Sequence, residues 1–151
     1  MSLSDYKRKR NFTKTSEPAG EDEAKAKGKI YVFHKHDASH LHWDLRLEME
    51  GVLKSWAVPK EPPTEPGVRR LAVAVEDHPL EYASFKGVIP EGEYGAGTVE
   101  IWDKGTYTLV SLKEDKLVVD IHGDKLRGKF VLVKTKFGGK GNNWLFFKMK
   151  E

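Results

Sequence analysis

Between His34 and Arg46 the chain reads HKHDASHLHWDLR, which places four histidines, two aspartates and an arginine within thirteen residues. In the segment LHWDLRLEM the apolar residues Leu41, Trp43, Leu45, Leu47 and Met49 alternate with His42, Asp44, Arg46 and Glu48. A period of two is that of a β-strand, whose successive side chains leave opposite faces, so His42, Asp44 and Arg46 share one face. Residues i and i+2 on such a face lie roughly 6.5 to 7 Å apart at the backbone, a gap that an imidazole and a carboxylate can both span to reach one cation. His36, just before the short turn DASH, is near enough to supply a third ligand. The set His36, His42 and Asp44 is therefore a candidate metal site of two histidines and one carboxylate.

Imidazole and carboxylate donors without sulfur fit Mn, Fe, Zn or Co, and three protein ligands leave positions for water and substrate, the habit of a catalytic site. Arg46 stands one step further along the same face, and Lys60, Arg70 and His78 are candidate contributors from neighbouring strands. Cations around an open metal position suit a phosphate, with arginine binding its oxygens bidentately. Two readings compete with this one. Two histidines and a carboxylate with His-x-Asp spacing also describe the facial triad of non-haem iron oxygenases. A metal-free nucleic-acid-binding barrel would instead stack bases on Trp43, Trp56, Tyr82 and Trp102, although alternation puts Trp43 with the apolar residues. A lone histidine is more often a packing residue than a ligand, which is the reading for His34, His40 and His122 taken singly.

The elements that must hold these groups are short. From Ile30 onward, runs rich in Val, Ile, Tyr, Trp and Leu are separated by turn signals such as MEGV, EPPTEPG, PEGEYGAG, DKGT, IHGDK and FGGKGNN. The expected strands are IYVFHKH, LHWDLRLEM, LKSWAVP, RLAVAVE, YASFKGV, GTVEIWD, YTLVSL, KLVVDIHG, KFVLVKT and NWLFFKMK. Many short strands without a useful helical period predict an all-β fold, a compact antiparallel β-barrel with short helical turns, with a sandwich as the alternative. In RLAVAVEDH, alternation groups Arg70, Ala72, Ala74, Glu76 and His78. Its small alanines either open a substrate cavity inside the barrel or let another strand approach closely. In LKSWAVPK the same rule groups Lys54, Trp56, Val58 and Lys60, with Lys60 at a rim. Glycine-rich GVIPEGEYGAGTV matches no nucleotide-binding fingerprint and reads as a tight connection.

With 151 residues the chain fits one domain. Residues 1–29 are polar, carry KRKR and EDEAKAKGK, and form an extended basic arm, either solvated or contacting phosphate. Residues 30–151 form the barrel. The absence of cysteine excludes disulfides and thiolate metal sites. No long apolar run exists and the N-terminus lacks the apolar core of a secretory signal, so a soluble cytoplasmic protein is expected, not a membrane one. A formal net charge of +3 permits an acidic partner such as nucleic acid without demanding one.

The stretches KHDASHLHWDLRLEMEGVLKSWAVPK, RLAVAVEDHPLEYASFKGVIPEGEYGAGTVEIWDKG and GKFVLVKT…NNWLFFKMK resemble the 3′-phosphoesterase domain of bacterial DNA ligase D, and the likeness runs through nearly the whole chain. The resemblance implies a manganese-activated β-barrel enzyme, with Co2+ or Zn2+ as other cations, that heals 3′ ends during DNA break repair. It would act on a primer–template, removing a terminal ribonucleoside to leave a 3′-phosphate, then hydrolysing that phosphate to a hydroxyl. Carried over by position, His36, His42 and Asp44 match the metal ligands, and Arg46, His78 and Tyr82 match groups engaging the scissile phosphate. Lys60, Arg70 and Glu76 match further active-site positions. In the arm, Arg10 and Glu17 match functional residues, while Asn11 stands where the family commonly has aspartate. A free-standing monomer that works with a separate DNA ligase is the corresponding expectation.

Overall fold

A computed structural model describes residues 29–90, 96–135 and 142–150. Among these residues nine strands form, β1 (Lys29–Asp37), β2 (Leu41–Met49), β3 (Val52–Val58), β4 (Arg69–His78), β5 (Gly87–Ile89), β6 (Gly97–Lys113), β7 (Lys116–Gly123), β8 (Arg127–Lys134) and β9 (Asn143–Lys148). One 3-10 helical turn, Leu80–Ser84, interrupts them. All pairings are antiparallel, and the order β1-β2-β3-β4-β9-β8-β7-β6 closes through a β1–β6 ladder into an eight-stranded barrel, with β5 added along the start of β6. Closure leaves no long unpaired edge in the main sheet. No helix among the described residues is long and apolar enough to cross a membrane.

Local sequence explains how the first three strands lock together. Glu50 and Gly51 both have positive φ (53° and 82°), the geometry of a two-residue type I′ turn, and Met49 accordingly pairs with Val52. That register sets Leu45 opposite Trp56 and Arg46 opposite Ser55. Leu45 and Trp56 are buried with Tyr31, Phe33, Trp43, Tyr107, Phe130 and Phe146 in one apolar cluster that fills the barrel. Inside, Phe130 stacks on Phe146 at 5.1 Å and Phe33 meets Phe146 edge-on at 5.8 Å. Of the tryptophans that a base-stacking platform would use, Trp43 and Trp56 are therefore interior and Trp102 packs partly buried against the same cluster.

Four local expectations are corrected. GTVEIWD and YTLVSL are one strand, because Gly105 makes no turn: a Cβ there would collide with the carbonyl oxygen of His122, so this glycine permits close approach of β7. YASFKGV is no strand; Tyr82–Ser84 lies in the helical turn that follows Pro79, and pairing resumes only at Gly87. The alanines of β4 open no cavity inside the barrel. Ala72 is fully buried and Ala74 packs against the same core, so their small size lets the aromatic cluster fit. The anticipated grouping of Ala72 and Ala74 with His78 also fails, since pairing steps from Ser55↔Val75 to Leu53↔His78, a bulge that turns His78 to the opposite face.

Candidate metal and phosphate site

The polar face of β2 is the outer face of the barrel. Across from it on β1, His34 pairs with Asp44 and His36 with His42. On the other side β3 sets Ser55 opposite Arg46 and Ala57 opposite Asp44. The β4 bulge then brings His78 to this face beside Val75 and Glu76. The chain from Pro79 to Phe85 lies over it, so that an open cleft of about 780 Å³ remains, lined by His36, His42, Asp44, Arg46, Glu76 and Tyr82 among others.

Asp44 is the hub. Its Oδ1 lies 3.2 Å from His42 Nε2, and its Oδ2 lies 3.6 Å from His36 Nδ1 and 3.4 Å from Arg46 Nη2. Burial by itself would raise the Asp44 carboxyl, but hydrogen bonds from His36 and His42 and the Arg46 charge outweigh it and hold the group well below the usual carboxylate range. The Asp44 hydrogen bond in turn raises the His42 imidazole, against the opposing effect of burial. One ligand atom each from His36, His42 and Asp44 lies within 4.8 Å of the others, and the imidazole rings are 4.8 Å apart. His42 Nδ1 lies 3.0 Å from the carbonyl oxygen of His40. That oxygen can only accept, which fixes the proton on Nδ1 and directs Nε2 at the cluster, as in histidines that bind metals. The donor set, its carboxylate ionised and its imidazole oriented, fits a divalent cation.

Arg46, only 4% exposed, is held from several sides. Its Nε donates to His34 Nδ1 at 3.1 Å and its Nη1 to Ser55 Oγ at 2.8 Å, while Nη1 also lies 3.2 Å from His78 Nδ1. The Tyr82 ring sits 4.8 Å from the guanidinium carbon and 4.8 Å from the His78 ring, and it stacks on Phe85 at 5.0 Å. Burial lowers the pKa of Arg46, an effect the Asp44 carboxylate opposes, and burial likewise raises the Tyr82 phenol. The charged edge of Arg46 is thus turned toward protein partners, with Nη2 adjoining the His36–His42–Asp44 cluster through Asp44.

The structure gathers His36, His42, Asp44, Arg46, Glu76, His78 and Tyr82 at one cleft. Lys60 and Arg70 are not among its lining residues: Lys60 is exposed beyond the end of β3, and Arg70 Nε donates to the Glu61 carbonyl at 2.8 Å. Arg10 and Glu17 lie outside the described residues. His34 and Ser55 were not anticipated in the site. The HKH spacing is the signal that was available for His34, since it repeats the face of His36 two residues earlier; a serine in an apolar strand offers none.

Comparison with known proteins identifies a family. Residues 34–134 match the family described as the DNA ligase D 3′-phosphoesterase domain. The multifunctional non-homologous end joining protein LigD of Pseudomonas aeruginosa is 47% identical over 99% of this chain and 19% of that protein. LigD proteins of Mycobacterium tuberculosis and Mycolicibacterium smegmatis are 43% and 41% identical over 98% and 99% of the chain. The chain spans about a fifth of the length of these relatives. With the family matched across residues 34–134, and relatives 41–47% identical over nearly all of this chain, the chain belongs to the DNA ligase D 3′-phosphoesterase domain family.

Proposed function

We propose that this chain is a hydrolase of DNA ends in end-joining repair, a metal-dependent 3′-phosphoesterase that heals a primer–template. The observation that carries the reading is one open outer-face cleft in which a His-His-Asp cluster adjoins a buried arginine, a histidine and a tyrosine. In the first step it removes a 3′-terminal ribonucleoside and leaves a 3′-phosphate; in the second it hydrolyses that phosphate to a hydroxyl, which a DNA ligase can use. The protein acts in the cytoplasm, as a monomer.

His36, His42 and Asp44 would hold the cation, with manganese proposed as the effective ion and cobalt or zinc as substitutes. When bound, the ion supplies a Lewis acid for the phosphoryl group. Arg46, preset by its protein partners, adds fixed positive charge where negative charge develops. His78 handles a proton. Its Nδ1 lies 3.0 Å from the Glu76 carbonyl oxygen and 3.2 Å from Arg46 Nη1. The carbonyl demands an N–H and the arginine a lone pair, so Nδ1 serves one at a time. With its proton toward Glu76 the ring offers a basic Nε2; in the other tautomer it offers an acidic Nε2–H. Tyr82 walls the cleft over both rings. Lys60, Arg70 and Glu76 contribute to binding from the rim, as do Arg10 and Glu17 in the arm.

The test is a gel assay on a primer–template bearing one 3′-terminal ribonucleotide, beside a 3′-phosphate primer, with manganese or with chelator. Shortening to a 3′-phosphate and then to a 3′-hydroxyl, only with metal, is the expected result. No reaction on either primer under manganese would refute the reading.

A further inference from the structure

His34 is fully buried, yet it belongs to no apolar cluster and both ring nitrogens are engaged. Nδ1 accepts the Arg46 Nε–H at 3.1 Å, and Nε2 lies 3.0 Å from the carbonyl oxygen of Phe85. These partners leave one solution. Arginine can only donate and a carbonyl can only accept, so the ring is neutral with its proton on Nε2. The Tyr82 ring meets His34 edge-on at 5.4 Å and stacks on Phe85. One imidazole therefore joins three things, the strand β1, the guanidinium on β2, and the segment that closes over the cleft.

We propose that His34 is a positioning residue that acts through Arg46, its Nδ1 fixing the guanidinium plane while its Nε2–H ties the Tyr82–Phe85 segment over the same group; this rests on the phosphoesterase reading above. Nothing in the assignment requires His34 to touch substrate or metal. Without it, the Arg46 Nε–H loses its acceptor and the Phe85 carbonyl loses its donor, so the guanidinium rotates and the cover loosens. Displacements on the ångström scale in a positioning group lower turnover by roughly a hundredfold. A glutamine has an amide oxygen to accept from Arg46 and an amide N–H to donate to Phe85, so it can replace both bonds.

The experiment compares the full chain as wild type, His34→Ala and His34→Gln by three readings: turnover on a 3′-phosphate primer with manganese, Mn2+ affinity, and hydrogen exchange of the Arg46 Nε–H in 15N spectra. In His34→Ala, kcat is expected to fall about 10- to 100-fold with Mn2+ affinity retained and fast Nε–H exchange. In His34→Gln, most of the turnover and slow exchange are expected to return. Wild-type turnover in a folded His34→Ala protein would overturn the proposal, and so would a folded His34→Gln no better than alanine. If the wild type cleaves neither DNA end, the phosphoesterase reading fails on its own. The exchange measurement then decides the positioning claim: Nε–H exchange in His34→Ala equal to that in wild type would refute it.

Discussion

Asp44 carries negative charge into a nearly closed environment, and the residues around it divide the work of compensating it. His36 and His42 face it from one side and Arg46 from the other. Removing Arg46 is therefore expected to separate two roles. Arg46→Ala should reduce turnover by about 10²- to 10³-fold while leaving Mn2+ binding in place, and isothermal titration beside a primer assay would check both. Loss of the metal together with turnover would make the arginine structural. Proton linkage gives a second expectation, in metal-free protein. Burial, then the Arg46 charge, lowers the His34 imidazole from 6.5 to about 4, so the folded state holds it neutral. That contribution to stability is fully present above pH 6.5 and is lost as the pH falls toward 4, on the order of 3 kcal/mol. Asp44, held low, keeps its contribution until more acid conditions. His42, raised by Asp44, has the opposite sign: its contribution is present below its ordinary value and fades as the pH rises. Urea unfolding in chelator at pH 7 and pH 4.5 should show a larger loss for wild type than for His34→Gln, which has no group to protonate; equal losses would contradict the assignment.

At the scale of elements, the strand β6 and its neighbours are held by one buried acid. Asp103, 3% exposed, accepts hydrogen bonds from the Tyr31 hydroxyl and from the backbone N–H groups of Asp124, Lys125 and Leu126 at 2.8 to 3.0 Å. Asp103→Ala is expected to cost about 3 kcal/mol or more by stranding these donors, measured as a shifted urea midpoint, whereas a change below about 0.5 kcal/mol would show that water replaces the carboxylate. The same element shows why legibility varied. Alternation in LHWDLRLEM assigned both faces of β2, because every second residue is apolar and no bulge interrupts it. The class of fold was readable for the same reason. In β4 the alternation is equally regular, but the bulge after Val75 reverses the face of His78, and nothing in AVEDH announces it. DKGT looked like a turn because glycine serves turns and close backbone approach alike, and only the position of His122 distinguishes them. Tyr82 reached the cleft through a helical turn where the residue types suggested a strand, since its packing on His34, His78 and Arg46 overrides local propensity.

For the whole molecule, the filled aromatic interior and the polar outer cleft follow from a single fact of strand geometry. Each strand that sends Trp43, Leu45 and Trp56 inward must send Asp44, Arg46 and Ser55 outward, so a rigid core and an open site share one set of strands. The grouping of His36, His42 and Asp44 was legible in spacing, while its location outside the barrel was not, because alternation separates two faces without saying which encloses the core. An outer cleft is open to a macromolecular substrate, whereas the barrel interior is filled by side chains. Because the cation and a proton compete for His42, Mn2+ binding and turnover should weaken together below about pH 6. The most direct test of the central claim is the Mn2+ stoichiometry of wild type, His42→Ala and Asp44→Ala, measured in parallel with phosphate release from a 3′-phosphate primer. One equivalent of Mn2+ and metal-dependent release are expected for the wild type, and neither for the two folded variants; substantial turnover or unchanged Mn2+ binding in either variant would refute the metal assignment.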